Sequence, residues 1–161
     1  MKKNKKQISF TDTYISRRRK SDIEFFSQIN SIVNWEKLDK TIKQYYCKDN
    51  KKTGRKAYSK LLLFKICLLK IWYNLSDEKL ENYINDSLSF MRFLNLKIED
   101  NIPDTSTIGR FRRGLVKNNM FANLLEIINK QLADNNFSIK NGEIIEPKLR
   151  KTKKNNKTLL H

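Results

Sequence analysis

One histidine, two cysteines, two prolines and four glycines are all this 161-residue chain holds of the residue types that most often mark chemistry or break a backbone. The histidine is His161, the last residue. That excludes Ser/His and Cys/His nucleophilic catalysis and any Cys/His zinc site. Cys47 and Cys67 belong to no CxxC pattern, which points to a reduced cytosolic protein rather than a disulfide scaffold. Long apolar runs are missing too. The most apolar segment, LLLFKICLLKIW, is interrupted by Lys65 and Lys70, and the opening MKKNKKQISF lacks an apolar core. Neither export nor a membrane anchor is expected, and a cytoplasmic, nucleoid-associated protein is. Acidic side chains are the last shortage, 17 against 34 Lys and Arg, for a net charge of +17.

A charge of that sign and size points to a polyanion, and its placement sharpens the point. Residues 1–20 carry eight basic side chains against Asp12, and residues 148–161 carry six and no acid, which leaves only +4 for everything between. The excess therefore sits on two basic arms. Part of the lysine count fits a biased genome, but that does not explain why acids are absent from the last fourteen positions. RNA is disfavoured as the polyanion, because there is no RNP-like aromatic strand motif and no GXXG loop. With 39% hydrophobic residues the chain has enough apolar side chains for one domain with a core.

Apolar spacing in that middle is helical. Ile23, Phe26, Ile29 and Ile32 form one stripe from about Ser21 to Ile32, and Trp35, Leu38, Ile42 and Tyr45 a second through Tyr46. A loop, KDNKKTGRKAY, sets Lys48, Lys51, Lys52, Arg55 and Lys56 around Gly54 and is either a solvated turn or a phosphate contact. SKLLLFKICLLKIWY, residues 59–73, is apolar nearly all round and reads as a central core helix whose Lys60, Lys65 and Lys70 snorkel outward. Its Trp72 and Tyr73 read as packing rather than a base-stacking platform. Ser76 caps a helix over SDEKLENYI, a short helix spans Phe90 to Leu96, and MFANLLEIINKQL closes the series from Met120 to Leu132. The expected fold is all-α, with five to seven helices, a helix-turn-helix-like unit, flexible basic termini and one stray strand near 142–146. Its parts are a basic arm over 1–20, a helical body over 21–137, and a strand remnant with a basic tail over 138–161.

One stretch combines a helix start with a cluster of cations: IPDTSTIGRFRR, residues 102–113. Pro103 ends what precedes it and Asp104 is a good N-cap. On a wheel Ile108, Phe111 and Leu115 share one side, and Ser106, Arg110, Arg113 and Lys117 the other. A helix laid in the major groove needs that arrangement, with small polar groups such as Ser106 and Thr107 near its N-terminus and Arg further along. The competing reading is an ordinary surface helix with solvated charges. Gly109 and Gly114 each cost about 1 kcal/mol of helix propensity, which close approach of DNA or of another helix would offset. Arg112 falls nearer the apolar side and is expected to pair with a carboxylate at the core edge.

The order ISFTDTYISRRRKSDIEFFSQINSIVNWEKL, TGRKAY, LLLFKICLLKIWYNLSDEKLENYINDSLSFMRFLNL and IPDTSTIGRFRRGL resembles the N-terminal part of bacterial insertion-sequence transposases of the Insertion Sequence Five group, over about residues 7–145. In that family this part is a helical DNA-binding domain that recognises the element's terminal repeats, and an RNase H-like core with a DDE triad follows it. The resemblance implies double-stranded DNA as partner, with contacts from Ser106, Thr107, Arg110, Arg113 and Lys117, from Arg55 and Lys56 in the loop, and from Arg17, Arg18 and Arg19 in the arm. The full-length family uses Mg²⁺ on its acidic triad. Here the text where the first Asp belongs is NGEIIEPKLRKTKKNN. Either Glu146 stands in that place or a small deletion removed the Asp, and both registers leave the position without it. Two-metal chemistry needs several converging carboxylates. The chain is therefore expected to bind DNA as a truncated transposase, with no cofactor and no catalysis of its own. The alternatives are a regulator that occupies the repeats or forms mixed oligomers with itself or an intact transposase, a full transposase subunit, and a decaying remnant.

Overall fold

The computed structural model describes residues 20–45, 57–140 and 148–151, with side chains over 24–45 and 57–139. Within these the chain is all-α, apart from one small hairpin. Seven helices succeed one another among the described residues: α1 (Lys20–Ile32), α2 (Trp35–Tyr45), α3 (Lys60–Trp72), α4 (Asp77–Asp86), α5 (Leu88–Leu94), α6 (Thr105–Lys117) and α7 (Met120–Asp134). The short helix expected from Phe90 starts two residues earlier, because Ser87 caps it. The Ser87 hydroxyl accepts from Phe90 N at 3.5 Å and pairs with Ser89 Oγ at 2.8 Å.

Because α3 is apolar on nearly every side, it ends up surrounded. Leu63, Phe64, Ile66, Cys67, Leu68, Leu69 and Trp72 are buried, and α2, α4, α5 and α6 all pack against it. At its C-terminal end Trp72 meets an aromatic cluster. The rings of Phe26 and Phe93 stack at 4.7 Å, Phe25 meets Trp72 edge-on at 5.5 Å, and Trp72 meets Phe93 at 5.7 Å. Trp72 is 3% exposed, so it is packing. The lysines of this helix escape sideways. Lys65 Nζ donates to the carbonyl of Phe93 at 3.1 Å, one of the last carbonyls of α5, and lies 4.3 Å over the Trp35 ring. One expectation fails on α2: Tyr45, placed on the buried stripe, is 60% exposed. It is the last described residue of that helix, so the periodicity of the sequence continued where burial had stopped.

Few glycines leave the helix ends to asparagine. Among the described residues the non-glycine positions with positive φ are Asn74, Asn95, Asn119 and Asn136, each just past a helix. Leu96 N reaches Met91 O and Asn95 N reaches Arg92 O, the paired bonds that close a helix over a left-handed residue, and Leu75, Asn74 and α3 repeat the pattern. Asparagine tolerates this conformation better than other side chains because its short amide bonds locally.

Strands occur where none was expected. Phe137–Lys140 (β1) pairs antiparallel with Lys148–Lys151 (β2), Phe137 opposite Lys151, and β1 packs on α7. The strand expected at 142–146 lies outside the described residues. Four-residue strands have no period long enough to see in sequence, and their partner is what defines them.

Candidate nucleic-acid interface

What presents α6 is set before its first turn. The Tyr58 hydroxyl, just ahead of α3, donates to the carbonyl of Ile102 at 3.2 Å, and Pro103 is buried. The chain is thereby held where the helix must start. Asp104 then caps it: its Oδ1 accepts from Thr107 N at 2.6 Å and from Ser106 Oγ at 2.9 Å. Hydrogen bonds from Thr107 first, then Ser106, hold the Asp104 carboxyl below the usual carboxylate range. At the other end Asn118 and Asn119 turn the chain straight into α7.

The two faces separate as the wheel requires. Ile108, Gly109, Phe111 and Leu115 are buried against α3, α4 and α7. Ser106, Arg110, Arg113 and Lys117 are exposed, and Thr107 is half-buried. From Arg110 to Lys117 the cations run about 10 Å along the axis, at 1.5 Å per residue. Among the described residues no carboxylate comes within ion-pair distance of Arg110, Arg113 or Lys117. Ser106 is less free than the wheel alone suggests, because its hydroxyl donates to Asp104 and its carbonyl accepts from Arg110 Nε at 3.4 Å.

Gly109 is buried, yet a methyl group built on it would meet nothing nearer than Arg113 Nη1 at 3.6 Å, an ordinary contact. Among the described residues no helix approaches closely enough to demand the glycine.

Arg112 has the core-edge carboxylate expected of it. Its Nη1 lies 3.5 Å from Asp77 Oδ1, at the first residue of α4, and the same oxygen takes the ammonium of Lys70 from the last turn of α3. The Lys70 hydrogen bond above all, with the Arg112 charge beside it, holds the Asp77 carboxyl below its ordinary range. Beneath this cluster lies Cys67, whose thiol burial pushes up to about 12, so it is not a nucleophile at neutral pH. The identity of Asp77 was not visible in sequence, because 35 positions separate it from Arg112. Its place in the first turn of a capped helix was the only signal.

Arg17, Arg18, Arg19, Arg55, Lys56 and Glu146 all lie outside the described residues. Among the described residues no three His, Cys, Asp or Glu side chains gather as metal ligands, and no helix is long and apolar enough to cross a membrane.

Residues 13–114 match the model of a protein family described as Transposase domain (DUF772), and no solved structure matches the chain. The match takes in Ser106, Thr107, Arg110 and Arg113 and stops before Lys117.

Proposed function

The chain belongs to the Transposase domain (DUF772) family, and on that premise we propose that its helical body binds double-stranded DNA through the exposed face of α6, with the terminal repeat of an insertion sequence as its specific target. The observation that carries this is the pairing of a buried Ile108, Phe111, Leu115 stripe with an exposed Arg110, Arg113, Lys117 stripe on one capped helix. A helix anchored on one side and cationic on the other can lie in a groove, its guanidinium groups reaching guanine edges or phosphates. The helix-turn-helix-like unit of this proposal is α6 with α7, joined through Asn118 and Asn119. Thr107 and the hydroxyl-bearing end of α6 enter first, and the basic arms, with Arg17, Arg18, Arg19, Arg55 and Lys56, add attraction that does not depend on sequence.

The test is fluorescence anisotropy with a labelled duplex carrying the terminal repeat of the source element, a scrambled duplex beside it, and a salt series. A preference for the repeat that survives physiological salt, and a loss on the order of tenfold or more in Arg110→Ala/Arg113→Ala, is the expected result. Equal binding to both duplexes that vanishes as salt rises would leave only the arms at work.

The chain by itself is proposed to bind this DNA without cutting or joining it. Support comes from the NGEIIEPK register, which has Glu146 or a deletion where the resembling family carries its first Asp. Strand cleavage by the pure protein in Mg²⁺ or Mn²⁺ would overturn this half of the reading.

A further inference from the structure

We infer that Asp77 is a positioning residue for the DNA-contacting face of α6, an inference that rests on the reading of that face as a DNA interface. Asp77 opens α4, and its Oδ1 holds Lys70 from α3 and Arg112 from α6 together. A single carboxylate oxygen therefore joins three helices. The apolar stripe of Ile108, Phe111 and Leu115 decides that α6 packs on the body. Apolar contact is not directional, so it leaves some freedom of roll about the helix axis. The pair at Arg112 restrains that freedom, because a hydrogen-bonded pair has a preferred geometry. Arg112 directly precedes Arg113 and is two residues after Arg110. On a rigid helix any roll that carries Arg112 outward turns both of its neighbours with it.

Removing the carboxylate does more than cut a bond. Lys70 and Arg112 become two like charges converging on one spot over the buried Cys67, which both of them already influence. Their repulsion is relieved by moving Arg112 away from α3, and the rest of α6 rolls with it. Asp77 is 44% exposed and Arg112 34%. Ion pairs in such positions contribute little to stability, so the fold survives their loss and the interface can be assayed.

The sign of the effect separates positioning from simple electrostatics. Deleting a negative charge from a protein that binds a polyanion tightens binding if charge alone matters. Loss of position weakens it. The experiment measures anisotropy of Asp77→Asn on the terminal-repeat duplex, alone and in the Arg110→Ala/Arg113→Ala background, below the melting temperature of every variant. Asparagine keeps the size and an acceptor oxygen but not the ion pairs. Asp77→Asn is expected to weaken binding roughly 2- to 30-fold, the range for residues that act on a ligand without touching it. That loss should disappear once Arg110 and Arg113 are gone. Arg112→Lys, which keeps the charge but loses the planar fork, should act in the same direction and carries the test if Asp77→Asn does not fold. Binding as tight as wild type or tighter, or an equal loss in both backgrounds, overturns the inference. If Arg110→Ala/Arg113→Ala weakens binding while Asp77→Asn does not, only the role of Asp77 falls. If Arg110→Ala/Arg113→Ala binds like wild type, the interface itself is wrong and the inference falls with it.

Discussion

Lys65 shows how one side chain can be charged and half-buried with no ion pair to an acid among the described residues. Its ammonium gives a hydrogen bond to the Phe93 carbonyl and faces the rings of Trp35 and Phe93 at 4.3 and 4.7 Å. These contacts favour the charged form, but burial prevails and lowers the pKa from 10.5 to about 8. Between those two values the unfolded chain binds a proton at Lys65 that the folded chain has lost. Stability therefore rises with pH across that window. The denaturation midpoint of the wild type is expected to increase from pH 8 to pH 10.5 relative to Lys65→Met, in which this contribution to the slope is absent. Urea titrations of the two proteins at matched ionic strength measure the difference.

Among the elements, α6 is the one whose local sequence and surroundings disagree. Its two glycines weaken the helix, and at Gly109 no internal reason for one is found among the described residues. An added Cβ would touch only the mobile end of Arg113, so Gly109→Ala is expected to stabilise the isolated protein by about 0.5–1 kcal/mol, read as a higher urea midpoint. The same substitution brings a methyl into van der Waals contact with the guanidinium of Arg113, which the proposed interface uses. Weaker DNA binding in a more stable protein would locate the reason for the glycine at the DNA surface, and unchanged binding would remove it from there. Most of α6 could be foreseen from sequence. The cap at Asp104, the buried stripe and the exposed cations all follow from spacings within one helix, where position along the chain fixes position around the axis. Tyr45 could not be foreseen, because whether a helix end is covered depends on its neighbour's length. Nor could β1, which is a strand only because Lys148–Lys151 lies beside it.

Across the whole molecule, charge sets two tendencies against each other. A net +17 repels itself in the folded state and attracts a polyanion from solution. Salt screens both. Raising NaCl from about 0.05 to 0.5 M, where the Debye length falls from roughly 14 to 4 Å, should raise the melting temperature of the free protein while lowering its affinity for DNA. Calorimetry and anisotropy on the same preparation check the opposed signs. A melting temperature that falls with salt would mean that exposed ion pairs such as Lys40–Glu36 outweigh the net repulsion.

Sequence alone determined the helical class, the central place of the apolar segment around Phe64 and Cys67, and the division of α6 into a packed and a cationic side. Each is a matter of local periodicity or composition, which survives without knowledge of any distant residue. Tertiary structure decided which carboxylate Arg112 finds, where Lys65 puts its charge, and that Tyr45 stays in solvent. Those outcomes depend on segments far apart in the chain arriving at the same place. No spacing encodes that, because it is the joint result of every helix seeking cover for its apolar side at once.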